Sequence, residues 1–154
     1  MRTFSPFLAA LGAFCPGLAT LGFSFPTALG AKVGAPERPV VSLTGDGGFM
    51  YALPELATAV KYNVNVVVVV FVDNAFGASK DDQRTRYHGR MVGTDLLNPS
   101  FAEVARLFGA YGKTVEPDQI GNALSEAIEQ KKPAVIEVPI PTWTPPFQIP
   151  PRQQ

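Results

Sequence analysis

The sequence predicts an α/β fold: a three-layer sandwich around a mostly parallel, doubly wound sheet. Three observations carry this. Val66 to Val72 (VVVVVFV) has no polar side chain on either face, as a central parallel strand covered by helices requires. Val40 to Thr44 reads as a second short buried strand. Between them, Leu53, Leu56, Ala57 and Val60 recur at helical spacing and supply the crossover that parallel neighbours need.

The remaining elements follow in order. No charged residue stands between Arg2 and Lys32, which invites a signal-peptide or membrane-anchor reading. Pro6, Pro16 and Pro26, with Gly12, Gly17, Gly22 and Gly30, break that stretch repeatedly, so a spanning helix is disfavoured. A helix is expected near Pro26 to Val33. Pro54 is tolerable in the first turn of the next helix, and Asn63 to Asn65 marks its stop. Lys80 to Arg90 (KDDQRTRYHGR) is densely charged and reads as a solvated loop. Asn98-Pro99 looks like an N-cap followed by a first helical residue, with Phe101, Val104, Ala105 and Phe108 as the buried stripe. Gly112 to Val115 reads as a short strand. Asp118 opens a helix with Ile120, Ala123, Leu124, Ala127 and Ile128 inward, and Ala134 to Val138 is the last strand. The prolines from 141 onward, with Trp143 and Phe147, give an extended tail. The expected organisation is a lead-in over 1–16, one domain over 17–140 and the tail over 141–154.

Composition bounds the function. With 154 residues and 46% hydrophobic content the chain makes one domain with a buried core. Lysine plus arginine equals aspartate plus glutamate, 13 each, so no basic field recruits nucleic acid or an anionic membrane. Cys15 is the only cysteine, which excludes an internal disulfide and a cysteine-built metal cluster. It reads as a small buried hydrophobe.

The chemistry concentrates in two polar turns, each closing an apolar strand: Gly45-Asp46-Gly47-Gly48 and Asp73-Asn74. The carboxyl ends of adjacent parallel strands open into one crevice, where ligands of open α/β folds bind. Asp46 offers a charged oxygen and Asn74 a neutral amide oxygen, both hard ligands. Mg²⁺ takes one or two such oxygens from a protein and the rest from phosphates and water. The glycines let backbone N–H groups approach an anion. The residues alone also fit a plain tight turn and a helix cap.

The spacing from Gly45-Asp46-Gly47, through a helix and a Val-rich strand, to Asn74 resembles the thiamine diphosphate motif. Gly17 to Lys32 (GLATLGFSFPTALGAK) is similar to the segment that precedes this motif in acetolactate-synthase-like enzymes. Gly93-Thr94-Asp95 through Phe108-Gly109-Ala110 and Pro133 to Val138 look like that family's later elements. The resemblance is to the C-terminal cofactor-binding domain of thiamine-diphosphate-dependent enzymes, in one colinear order from Gly17 to Ile140. It implies the thiamine diphosphate-binding fold, with thiamine diphosphate and Mg²⁺ as cofactors. It also implies cofactor contacts at Leu21, Gly45, Asp46, Gly47, Gly48, Asn74, Phe76 and Gly77, with Asp46, Asn74 and the Phe76 carbonyl on the metal. Leu21 stands where the family places an aliphatic residue beneath the bent cofactor; it also fits ordinary core. Ala19 departs from the family's usual glycine, and Asp73 from the first asparagine of its pair. Asp73 reads as a cap of the next turn or an adjuster of the ligands. Lys80 falls near where pyruvate decarboxylases keep a catalytic glutamate, and the glutamine-tryptophan pair of authentic acetolactate synthases is absent. His88 reads as a surface residue, with a general-base role left open.

The resemblance implies 2-oxo acid decarboxylation or carboligation in a cytoplasmic oligomer. The family's activating glutamate belongs to a separate pyrimidine-binding domain, and neither Glu55 nor Glu103 matches a family position for it. The expectation is therefore a chain that lacks this domain and works with a pyrimidine-binding domain or subunit, its catalytic residues unknown. The alternatives are a cofactor-binding or interaction module without turnover, or another Mg-phosphate α/β protein. For the last, no aspartyl nucleophile stands at a strand end in the usual arrangement.

Overall fold

A computed structural model describes residues 8–9 and 20–142. The elements are β1 (Leu8–Ala9), α1 (Ser24–Gly34), β2 (Val40–Gly45), α2 (Asp46–Ala52), α3 (Glu55–Lys61), β3 (Val66–Val72), α4 (Gly77–Arg86), α5 (Phe101–Leu107), β4 (Tyr111–Thr114), a 3-10 turn (Pro117–Gln119), α6 (Ile120–Glu129) and β5 (Ala134–Pro139). The strands form one sheet in the order β1-β2-β3-β5-β4, and every pairing is parallel.

The three layers follow from the period-two alternation of β3. Val66, Val68, Val70 and Val72 face one cluster, with Phe25, Ala28 and Leu29 of α1, Phe49 of α2, Leu56 and Ala59 of α3, and Phe101 and Ala105 of α5. Val67 and Val69 face the other, with Ala123 and Ala127 of α6 and with Ile136 and Val138 of β5. Each fully buried valine contributes about 1.5–3 kcal/mol, so a strand without polar side chains is stable only at this central position. Phe49 ties α1 to α5: its ring lies 5.8 Å from Phe25 and 5.4 Å, edge-on, from Phe101.

Several sequence expectations change. Lys80 to Arg90 is not a loop over its first half, because α4 runs to Arg86. Its charges sit at helical spacing, with Asp81 bound to Arg84 and Asp82 to Arg86 at 2.9 Å, which supports a turn that buries nothing. Asn98 does not cap α5; Ser100 does, its Oγ accepting the Glu103 N–H at 3.3 Å. Phe108 falls just past that helix and is 38% exposed, while Ala102 joins the buried stripe. Only Val40 and Ser42 of β2 are buried, and Leu43 is 49% exposed. Ala57 faces solvent and Ala59 takes the inward position, since Leu53 precedes α3 rather than opening it. The fourth strand begins one residue earlier than expected, at Tyr111. The expectations for Cys15, Ala19, the rest of 10–19 and the tail from Trp143 lie outside the described residues.

Candidate functional site

β2 and β3 lie side by side with Gly45 opposite Phe71, so both chains leave the sheet at the same edge. Asp46 is the next residue on one side and Asp73-Asn74 follow on the other. The structure joins them. Asp46 is 2% exposed, and its Oδ2 accepts the backbone N–H of Asn74 at 2.8 Å. Its Oδ1 accepts the Gly47 N–H at 2.8 Å. Asn74 has φ +55°, a left-handed conformation that asparagine tolerates better than most residues.

A residue that the sequence placed elsewhere completes the cluster. Asn98 Nδ2 donates to Asp46 Oδ2 at 2.7 Å and to Asn74 Oδ1 at 3.0 Å. Residues 94–98 reach the site because they are laced to the turn after β3. Leu96 N–H donates to the Asn74 carbonyl and Phe76 N–H to the Thr94 carbonyl, both at 2.8 Å. Beyond Asn98, the start of α5 is held by Glu137 of β5. That buried carboxylate accepts the Ser100 hydroxyl and the Ala102 N–H, both at 2.9 Å, and Thr114 Oγ1 at 3.3 Å. Glu137 was visible in the sequence as the one charge in an apolar strand.

Glycine is needed at 47 because the Phe76 ring lies over it: an added Cβ would stand 2.6 Å from Cε1 of that ring. At Gly45 nothing stands within 4 Å of an added Cβ, so the space beside that residue is open. An added Cβ on Gly48 would meet Thr44 Oγ1 at 3.0 Å and Leu21 Cδ2 at 3.9 Å. Leu21 therefore stands beside this turn, and at 49% exposed it is not ordinary core. Ser24 anchors the segment to β2, its Oγ donating to the Leu43 carbonyl at 2.8 Å.

The Phe76 carbonyl accepts the Lys80 N–H at 2.9 Å as α4 begins, which uses one lone pair and leaves the second open. Gly77 is the first residue of α4, where an added Cβ would meet Asp73 Oδ2 at 3.2 Å. Asp73 caps the turn, its Oδ1 accepting the Ala75 N–H at 3.2 Å. Burial, and then the charge of Asp46, push its carboxyl above the usual range. Lys80 is engaged with Asp95 at 2.6 Å, and His88 is exposed on a turn outside the cluster. Glu103 pairs with Arg106 at 3.9 Å, and Glu55 opens α3. An open cavity of about 800 Å³, lined by Asp82, Gln83, Arg86 and Tyr87 among others, lies along α4 rather than at Asp46.

The donor set suits a small hard cation. Asp46 is a buried carboxylate, and none of the ion pairs among the described residues involves it. Three N–H groups partner it, and an amide oxygen stands beside it. Among the described residues, no group of three or more His, Cys, Asp or Glu could hold a metal. A cation here would draw on one carboxylate, an amide and main chain, the pattern of Mg²⁺ that takes its remaining oxygens from phosphate and water.

Residues 5–138 match the family described as thiamine pyrophosphate enzyme, C-terminal TPP binding domain. The chain is 41% identical over 122 residues to a sulfoacetaldehyde acetyltransferase of Castellaniella defragrans, covering 76% of this chain and 20% of that protein. It is 36% identical over 137 residues to a probable acetolactate synthase large subunit of Methanococcus aeolicus, covering 88% and 23%. Its fold is similar to benzoylformate decarboxylase from Polynucleobacter necessarius, with a TM-score of 0.73 and 32% identity over 82% of this chain and 25% of that one. The chain thus spans between a fifth and a quarter of the length of these relatives.

Proposed function

Since the chain belongs to the thiamine pyrophosphate enzyme family, as its C-terminal TPP binding domain, we propose that it binds thiamine diphosphate through Mg²⁺ in a 2-oxo acid decarboxylase or carboligase of the acetolactate synthase type. Asp46, Asn74 and the Phe76 carbonyl would hold the metal. Leu21, Gly45, Gly47, Gly48 and Gly77 would contact the cofactor. The bound cofactor supplies the electron sink for making or breaking a carbon–carbon bond beside a 2-oxo group. The chain's own residues position it and keep the metal's oxygens in place. The observation that carries the reading is the buried Asp46 carboxylate, tied to the Asn74 turn and without an ion pair among the described residues.

Turnover on this reading needs a pyrimidine-binding domain or subunit, within a cytoplasmic oligomer. No helix among the described residues is long and apolar enough to cross a membrane. The test below also separates this reading from a cofactor-binding module without turnover.

The test is thermal unfolding with thiamine diphosphate and Mg²⁺, followed by an assay of carbon dioxide release from pyruvate. Ligand at a hundredfold over its Kd stabilises by about 2.7 kcal/mol, which at roughly 2–4 °C per kcal/mol raises Tm by about 5–11 °C. Asp46→Ala removes the shift; a shift retained in that variant refutes the assignment. Carbon dioxide release that appears on adding a pyrimidine-binding polypeptide supports the enzyme reading, and binding without turnover in either sample supports the module.

A further inference from the structure

We infer that Asn98 is a positioning residue that sets which atom of the Asn74 amide faces the metal seat. This rests on the proposed Mg²⁺ site and goes beyond it, because the ligand set implied by the family resemblance does not include Asn98. The argument starts at Asp46. An ionised carboxylate only accepts hydrogen bonds, so the Asn98 amide must turn its nitrogen toward Asp46 Oδ2, as observed at 2.7 Å. That same nitrogen reaches Asn74 at 3.0 Å, and because it donates, Asn74 must answer with its oxygen. The polarity of the Asn74 amide is thus dictated through Asn98 by the carboxylate.

Counting lone pairs shows what this leaves for a cation. Asp46 Oδ2 receives two donors, from Asn74 N–H and Asn98 Nδ2, and is saturated. Among the described residues Asp46 Oδ1 receives only Gly47 N–H and keeps one lone pair. Asn74 Oδ1 receives Asn98 Nδ2 and also keeps one. The network leaves one open position on each of two oxygens from different strand ends. Without Asn98 no hydrogen bond among the described residues holds the Asn74 amide, and its nitrogen can swing to the carboxylate, a state that repels a cation.

The lever is anchored at both ends. The backbone of Leu96 is bonded to Asn74, and α5 is pinned two to four residues beyond Asn98 through Ser100 and Ala102 to Glu137. Asn98 therefore has little freedom to follow the metal. Its contribution is alignment, of the kind for which loss of an outer hydrogen-bond partner typically costs about 10–100-fold in metal affinity.

The experiment titrates Mn²⁺, read by the electron paramagnetic resonance of the free ion, into the full chain with thiamine diphosphate present. It compares the parent with Asn98→Ala and the near-isosteric Asn98→Leu. The expected result is a Kd weakened about 10–100-fold in both variants, with metal-free unfolding close to the parent's. An unchanged Kd overturns the inference and leaves the site standing. Tighter binding also overturns it, since Asn98 would then be a competitor for the cation's place. If both variants lose their metal-free unfolding transition, Asn98 serves the fold and the inference fails. If the parent itself binds no Mn²⁺, the Asp46–Asn74 site falls, and this inference with it.

Discussion

Replacing Asp46 by asparagine isolates the carboxylate from its shape. In the parent, three N–H donors converge on the two oxygens: Gly47 on Oδ1, Asn74 and Asn98 on Oδ2. An asparagine has one oxygen and one NH₂ in the same space. If its oxygen faces Asn74 and Asn98, its nitrogen faces the Gly47 N–H; turned over, it faces the other two donors. At least one donor meets a donor in either orientation. The Gly47 bond is buried, so water does not replace it, and leaving such a group unsatisfied costs about 1–3 kcal/mol. Asp46→Ala orphans all three, but the contacts to Asn74 and Asn98 are only partly buried and water can repair them, so its cost is about 2–4 kcal/mol. Denaturant unfolding of the Mg-free protein, followed by circular dichroism, measures both. The expected order is parent, then Asp46→Asn, then Asp46→Ala. An Asp46→Asn midpoint equivalent to the parent's within about 0.5 kcal/mol, the range of an ordinary surface change, would refute the claim that the carboxylate is held by a convergent donor set.

Two further outcomes test neighbouring parts of the structure. Gly47→Ala forces a Cβ to within 2.6 Å of Phe76 Cε1, an overpacking that costs about 1–3 kcal/mol. Removing the ring edge with Phe76→Leu in the same chain should recover part of that loss, and strict additivity of the two changes would show that they do not touch. At the opposite edge of the sheet, burial first, and then the hydrogen bond to Glu126, push the Tyr111 phenol up to about 12. Because this lies above the unfolded value of about 10, the stabilisation is complete below about pH 10 and is lost as pH rises through about 12. Ultraviolet titration should show one tyrosine ionising above the rest, and Glu126→Gln should bring it down; no late-titrating tyrosine would refute the pairing.

The sheet and the two turns were legible because their signals are local. A run such as Val66–Val72 tolerates no position but a covered one, and the end of a strand fixes where the next residue emerges, so Asp46 and Asn74 could be placed together from two short stretches. α4 was misread because its charges were counted as solvation; the spacing of Asp81 to Arg84 and Asp82 to Arg86 carried the helical signal all along. Asn98 was not legible for a different reason. It reaches Asp46 only because Thr94 and Leu96 make main-chain bonds to Phe76 and Asn74, and such bonds leave no trace in side-chain identity. Pro99 after it imitates a helix start, while the true cap, Ser100, is recognised through Glu137 on a strand thirty-seven residues away. A site built from a single carboxylate, two amides and main chain also escapes any search for clustered charge. What makes such a site readable is topology: adjacent parallel strands deliver their ends to one place, and any polar residue that a later loop returns to that edge becomes a candidate to orient what is already there.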